Sequence, residues 1–274
     1  MSFLVVDADK CKRDGLCVSE CPVGIIDLKD KTSLPELAAG GSEFCINCGH
    51  CVAVCPHGAM SLETMESQQC QPLQRNLMPT QEQVNYFLRS RRSARVYKDK
   101  PVDREILTAL LDVARYAPSA HNWQPVHWLV ILERAELNRL SGLVIEWMRL
   151  MLSNNVPVAR EMHFDRVIQV WESGIDRILR GAPHLLVAHG PSALPSALSA
   201  CTIALTYLEL AAYSFGLGAC WAGYFNAAAN FYEPLQAALS LPEGHQCFGA
   251  MMVGHARNKY HRLPFRNEAK IEWR

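Results

Sequence analysis

The 274-residue sequence predicts an α+β fold in two parts: a small cysteine-rich domain, then a larger domain in which a mixed sheet is flanked by helices. Three observations carry this. Seven of the eleven cysteines fall before residue 56. Beyond residue 80 the apolar residues take up helical spacing. Helical segments then outnumber strands, with no regular strand–helix alternation of the kind that builds a parallel sheet.

Residues 1–66 hold only short apolar runs, such as Phe3–Val6 and Gly24–Leu28, so a metal or covalent staple must replace a large core. Residues 67–81 are polar and proline-punctuated, as a linker is. The second domain, 82–274, starts on a helix announced by the capping pair Thr80 and Gln83, with Val84, Phe87 and Leu88 on one face. Further helices are expected over 103–116, 136–152, 165–180, 196–215 (ended by Gly216 and Gly218) and 232–239 (primed by Pro234). Strands are expected over 127–132, 184–189 and 246–253.

Formal net charge is zero, from 27 basic and 27 acidic residues, so no overall field recruits nucleic acid or a membrane surface. The N-terminal Met-Ser-Phe-Leu-Val-Val-Asp has no basic region and too short an apolar run for a secretory signal. The apolar stretch Ala197–Leu208 falls short of the ~20 residues that span a bilayer and reads as a buried helix. The expectation is a soluble, cytoplasmic protein, where crowded cysteines ligate metal rather than form disulfides.

Cys45-x2-Cys48-x2-Cys51-x3-Cys55-Pro56 is the spacing of bacterial ferredoxins: three thiolates wrap one cubane and the fourth crosses to a second cluster. Zinc sites use paired Cys-x2-Cys units and seldom show three successive two-residue gaps closed by Cys-Pro. A second copy, Cys11-x2-Asp14-x2-Cys17-x3-Cys21-Pro22, carries aspartate where the second cysteine belongs. It resembles the ferredoxins in which aspartate replaces one ligand. The crossing rule assigns Cys11, Cys17 and Cys55, with Asp14 or an exchangeable ligand, to cluster one. Cluster two takes Cys45, Cys48, Cys51 and Cys21. Either Asp14 is a hard, labile ligand to a 4Fe–4S cluster, or Asp14-Gly15 is a turn pair and cluster one is 3Fe–4S.

From residue 90 the sequence resembles the nitroreductase family, in four motifs in the family's order: Ser90–Arg95, Ala117–Pro125, Gly216–Gly223 and Gly254–Arg266. The resemblance implies FMN. Its phosphate suits guanidinium forks at Arg91 and Arg95, within the Arg91-Arg92-Ser93 run whose Ser93 hydroxyl adds a donor. Arg262 or Arg266 would close the pocket. Asn122 and Gln124 would lie along the polar edge of the isoalloxazine, and the Ala222 and Gly223 backbone amides near N5 and O4. The long apolar helices suit the family's intertwined homodimer, whose FMN sites lie at the subunit interface. One departure is Cys220-Trp221-Ala222-Gly223, where better-known members carry Pro-x-Glu-Gly. No dinucleotide fingerprint or P-loop occurs.

The function this implies is FMN-dependent oxidoreduction. Electrons come from an external low-potential donor through the protein's own clusters and pass to a small organic acceptor, nitroaromatic-like or related. Two other functions fit the same sequence: an electron carrier or redox sensor without a substrate, and an FMN-dependent dehalogenase or flavin-modifying enzyme. No His–carboxylate or Ser–His pair stands at a diagnostic spacing, so no side-chain catalyst is nominated.

Overall fold

A segment too poor in apolar residues for a large core must build a small one around its ligands. In the computed structural model, which describes residues 3–274, it does so with very short elements. Met1 and Ser2, which open the segment read as lacking a signal, lie outside the described residues. The chain divides into two compact units, one running to Pro79 and including His121–Trp123, the other Thr80–Ala120 with Gln124–Arg274.

The first unit runs β1 (Leu4–Val6), α1 (Leu16–Ser19), β2 (Ile26–Asp27), β3 (Glu36–Leu37), α2 (His50–Val54) and β4 (Met60–Leu62). β1 pairs antiparallel with β4, and β2 with β3. Each one-turn helix follows a left-handed glycine, Gly15 at φ 75° and Gly49 at φ 71°. That conformation favours glycine. At Gly49 a Cβ would also lie 2.7 Å from the Met65 sulfur. Leu4, Ile25, Ile26, Val52, Met60 and Leu62 form the core with Cys17 and Cys51.

The second unit contains α3 (Gln81–Ser90), α4 (Arg104–Ala114), β5 (His127–Ile131), α5 (Arg134–Ser153), α6 (Pro157–Glu161), α7 (Phe164–Glu172), β6 (His184–Pro191), α8 (Ala197–Ser214), β7 (Gly218–Trp221), α9 (Gly223–Phe231), α10 (Glu233–Leu239) and β8 (His245–Gly254). The capping box closes as its residues require: Gln83 N–H donates to Thr80 Oγ1 at 3.2 Å and Thr80 N–H to Gln83 Oε1 at 2.8 Å.

The sheet order is β5-β6-β8-β7. Side chains alternate between two cores. Leu185, Val187, Ala250 and Met252 join α5, α7, α9 and α10 on one face. Leu186, Ala188, Met251 and Val253 join α4 and α8 on the other. A strand buried on both faces reads as a continuous apolar run, which is why β6 is plain in the sequence.

Two expectations are corrected. The sheet is antiparallel in all its pairings rather than mixed. Helical connections suggest parallel crossovers, but here only α8 makes one, carrying the chain from β6 past β8 to β7. The helix expected over 165–180 ends at Glu172, because Gly174 at φ 85° breaks it. α6, β7 and α9 were not anticipated. α8 is by length and composition apolar enough to cross a bilayer, yet it packs one face on the sheet, with Cys201, Leu205 and Leu208 wholly buried.

Candidate functional site

In the first unit, Cys11, Asp14, Cys17 and Cys55 line one hollow. Cys21, Cys45, Cys48 and Cys51 line another. The donor set fits thiolate-bound iron–sulfur clusters: the eight residues line two hollows in fours, each with one cysteine from the other motif. Burial pushes the Cys17 thiol up and the Cys51 thiol up to about 11, so neither is a reactive nucleophile on its own. Asp14 Oδ1 accepts the Leu16 N–H at 3.2 Å, holding the turn into α1.

In the second unit the segment 91–97 brings Arg95 to a cleft of about 520 Å³. Its position follows from packing. Ala94 N–H donates to Ala219 O at 2.9 Å, pinning the segment to β7. Only glycine allows that approach at residue 218, where a Cβ would lie 2.5 Å from the Ala94 Cβ. Tyr97 Oη donates to Ala94 O at 2.8 Å, and Tyr260 Oη to Ser93 O at 3.1 Å. Arg95 lines the cleft with Cys220, Trp221 and Gly223, and Trp147, Phe164 and Phe231 belong to the same lining.

Gly223 begins α9 with bare backbone: a Cβ built there would meet no atom within 4 Å. A flat ring system can therefore lie against this backbone. Burial pushes the Cys220 thiol up, opposed by the Arg95 and Arg180 charges and by a Ser93 hydrogen bond. Cys220 is a packing residue here.

The other candidates go elsewhere. Arg91 Nη1 pairs with Glu209 Oε1 at 2.8 Å, and Trp221 Nε1 donates to Glu209 Oε2 at 3.3 Å. Arg92 turns back onto the Arg89 and Arg91 carbonyls at the end of α3. Asn122 Nδ2 donates to Asn47 O at 2.8 Å within the first unit. Gln124 lines a different cleft, with Ser119 and Trp128. Arg262 and Arg266 are exposed on a segment without regular structure. Backbone strain marks the Ala117–Pro125 motif: His121, Asn122 and Gln124 have φ of 50°, 53° and 47°.

Sequence reasoning missed Arg177 and Arg180, which line the same cleft as Arg95. They sit on a turn that was read as helix, so periodicity gave no cue to them.

A cysteine-rich domain shaped for clusters, joined to an α+β domain with a cation-edged cleft, defines a redox protein. The chain belongs to the nitroreductase family, whose model matches residues 88–255, and residues 3–56 match a 4Fe–4S dicluster domain. It is 27% identical over 61% of its length to a Methanothermobacter thermautotrophicus protein provisionally named NADH dehydrogenase/NAD(P)H nitroreductase, covering 74% of that protein. Its fold is similar to a nitroreductase with bound FMN from Bacteroides fragilis, with TM-score 0.56 and 22% identity over 69% of this chain and 98% of that one. A Desulfitobacterium hafniense nitroreductase with bound FMN aligns at TM-score 0.55 and 23% identity over 71% of this chain and 100% of that one.

Proposed function

We propose that this protein is an FMN-dependent oxidoreductase that takes electrons from an external low-potential donor through its own iron–sulfur clusters and reduces a small organic acceptor. The observation that carries the reading is the cleft, in which a guanidinium, a bare helix start and an aromatic wall meet. FMN would supply the hydride or single-electron chemistry there. Arg95 holds a positive charge at the rim. The Gly223 backbone leaves room for a flat ring. Trp147 and Phe164, both buried, give the cleft an apolar wall. Cys11, Cys17 and Cys55, with Asp14, would hold one cluster; Cys21, Cys45, Cys48 and Cys51 would hold the other.

The protein is a homodimer in this reading. Residues 257–274 form no element of their own and leave Phe265 fully exposed and Trp273 88% exposed, a waste of apolar surface unless a second copy covers it. Asn122, Gln124, Arg262 and Arg266 would then act at the FMN site of the dimer, where the second copy completes the pocket.

The test is anaerobic purification followed by turnover. Seven or eight irons and one FMN per chain are expected, with multiple turnovers of a nitroaromatic acceptor under a chemical reductant. Zinc without acid-labile sulfide would remove the cluster assignment. Clusters and flavin that cycle while no acceptor is consumed would make the protein a carrier.

A further inference from the structure

The turn that follows α7 is built at some energetic cost, and what it presents is two arginines. Asp176 folds it: Oδ1 accepts the Ile178 and Leu179 N–H groups at 2.7 and 3.0 Å, and Oδ2 accepts the Gly181 N–H at 3.3 Å. Ile178 and Leu179 anchor it in the core at 2% and 1% exposure. Arg180 holds φ 59°, a left-handed conformation that is unfavourable for a residue with a β-carbon. Glycine would serve a purely structural turn better, and the next residue, Gly181, is already left-handed at φ 63°.

Asp176 is the carboxylate nearest in sequence to both arginines, and its oxygens are committed to the turn. Among the described residues neither Arg177 nor Arg180 forms an ion pair, whereas Arg134, on the same side of the unit, is paired with Asp99 at 2.8 Å. Arg177 and Arg180 line the apolar cleft, and together with Arg95 they also line an adjoining polar hollow that Arg257 borders. The site thus offers aromatic and aliphatic walls to a flat body and guanidinium groups to one end of it. Two unpaired guanidiniums match a carboxylate, which accepts paired N–H donors.

We propose that Arg177 and Arg180 form an anion subsite that selects acceptors with a planar apolar body and a carboxylate. This rests on the reading of the cleft as the FMN site, and it names the class of acceptor taken there.

The test compares 4-nitrobenzoate with its neutral near-isostere 4-nitrobenzamide, on the full-length protein with clusters and FMN in place. The wild type should favour the benzoate in kcat/KM by about tenfold or more. In Arg177→Gln and Arg180→Gln the benzoate should lose about ten- to hundredfold, mainly through KM, as expected for a charge-assisted contact. The benzamide should stay within about twofold. Benzoate binding by calorimetry should weaken in parallel, a readout that does not depend on turnover. Arg180→Gly serves where Arg180→Gln fails to fold, since glycine accepts φ 59° while removing the cation.

Equal handling of both acceptors by an FMN-replete wild type overturns the proposal. So does an equal fall for both in the variants, which makes the arginines structural. Loss of FMN from the variants also overturns it, assigning the arginines to the flavin phosphate. A wild-type protein that binds benzoate through these arginines but never FMN would refute the flavin reading and keep the subsite.

Discussion

Arg91 and Arg95 stand four residues apart on one segment but have different partners. Arg91 is tied to Glu209, whose side chain is 8% exposed against 31% for the arginine. Removing Arg91 leaves a nearly buried carboxylate with only the Trp221 N–H as partner. Arg91→Ala should therefore lower stability by about 1–3 kcal/mol, read as a fall in Tm of the FMN-free protein. Arg95 is exposed at the cleft rim, so Arg95→Ala should leave that Tm alone and weaken FMN retention by about 1.5–3 kcal/mol in a fluorescence titration. The reverse pattern would place the phosphate at Arg91. Asp14 poses a similar question in the first unit, because its Oδ1 already serves the Leu16 N–H. Thiolate holds iron more firmly than carboxylate. Asp14→Cys should thus convert cluster one to an all-thiolate cubane with a changed low-temperature EPR spectrum. Parental spectra and iron content in both redox states would show that Asp14 is not a ligand.

At the scale of elements, β5, β6 and β8 bring His127, His189 and His245 together at one end of the sheet. His189 Nδ1 lies 3.0 Å from His245 Nδ1, and the His127 ring sits edge-on to His245 with centroids 4.8 Å apart. Burial first, then the neighbouring His245 and His127, push His189 down to about 4. Its ordinary value of 6.5 belongs to the unfolded chain, which therefore binds the extra proton between those two values. Stability is fully present above pH 6.5 and falls as pH drops toward 4, by up to about 3 kcal/mol. Thermal melts of His189→Asn should show a flatter decline across that window than wild type; parallel curves would exclude His189 as the cause. None of this was legible in the sequence, where the three histidines are more than fifty residues apart. The same limit explains the sites. The cysteine frames could be read because cluster ligation is encoded in local spacing. Helices with strong periods, such as α4 and α5, and the continuous apolar run of β6 could be read for the same reason. Arg177 and Arg180 could not, because their presentation depends on Asp176 folding a turn where the sequence continues a helical pattern. Nor could the engagement of Arg91 with Glu209, a partner 118 residues away.

For the whole molecule, the joining of a cluster domain to a nitroreductase domain in one chain raises the question of which reductant drives it. We expect reduced ferredoxin or a chemical one-electron donor to support turnover far better than NADH or NADPH. If residues 67–79 act as a flexible tether, the clusters see the flavin site at an effective concentration of about millimolar, which a diffusing carrier rarely reaches. Cys220-Trp221-Ala222-Gly223 also departs from the Pro-x-Glu-Gly of better-known relatives, and in the structure this segment passes from β7 into α9 along the cleft. The indole of Trp221 there is turned toward Glu209. Against this stands the name of the Methanothermobacter relative, which points to nicotinamide donors. That similarity spans only 61% of this chain, and a donor used by a relative need not serve a chain that carries its own cluster domain. Anaerobic stopped-flow reduction separates the two routes. NADH should bleach the flavin band slowly or not at all, while reduced ferredoxin bleaches it fast, and Cys48→Ser should slow only the ferredoxin route. Rapid bleaching by NADH, at the same rate in wild type and Cys48→Ser, would mean that electrons reach the flavin without the clusters and that the N-terminal domain serves another purpose.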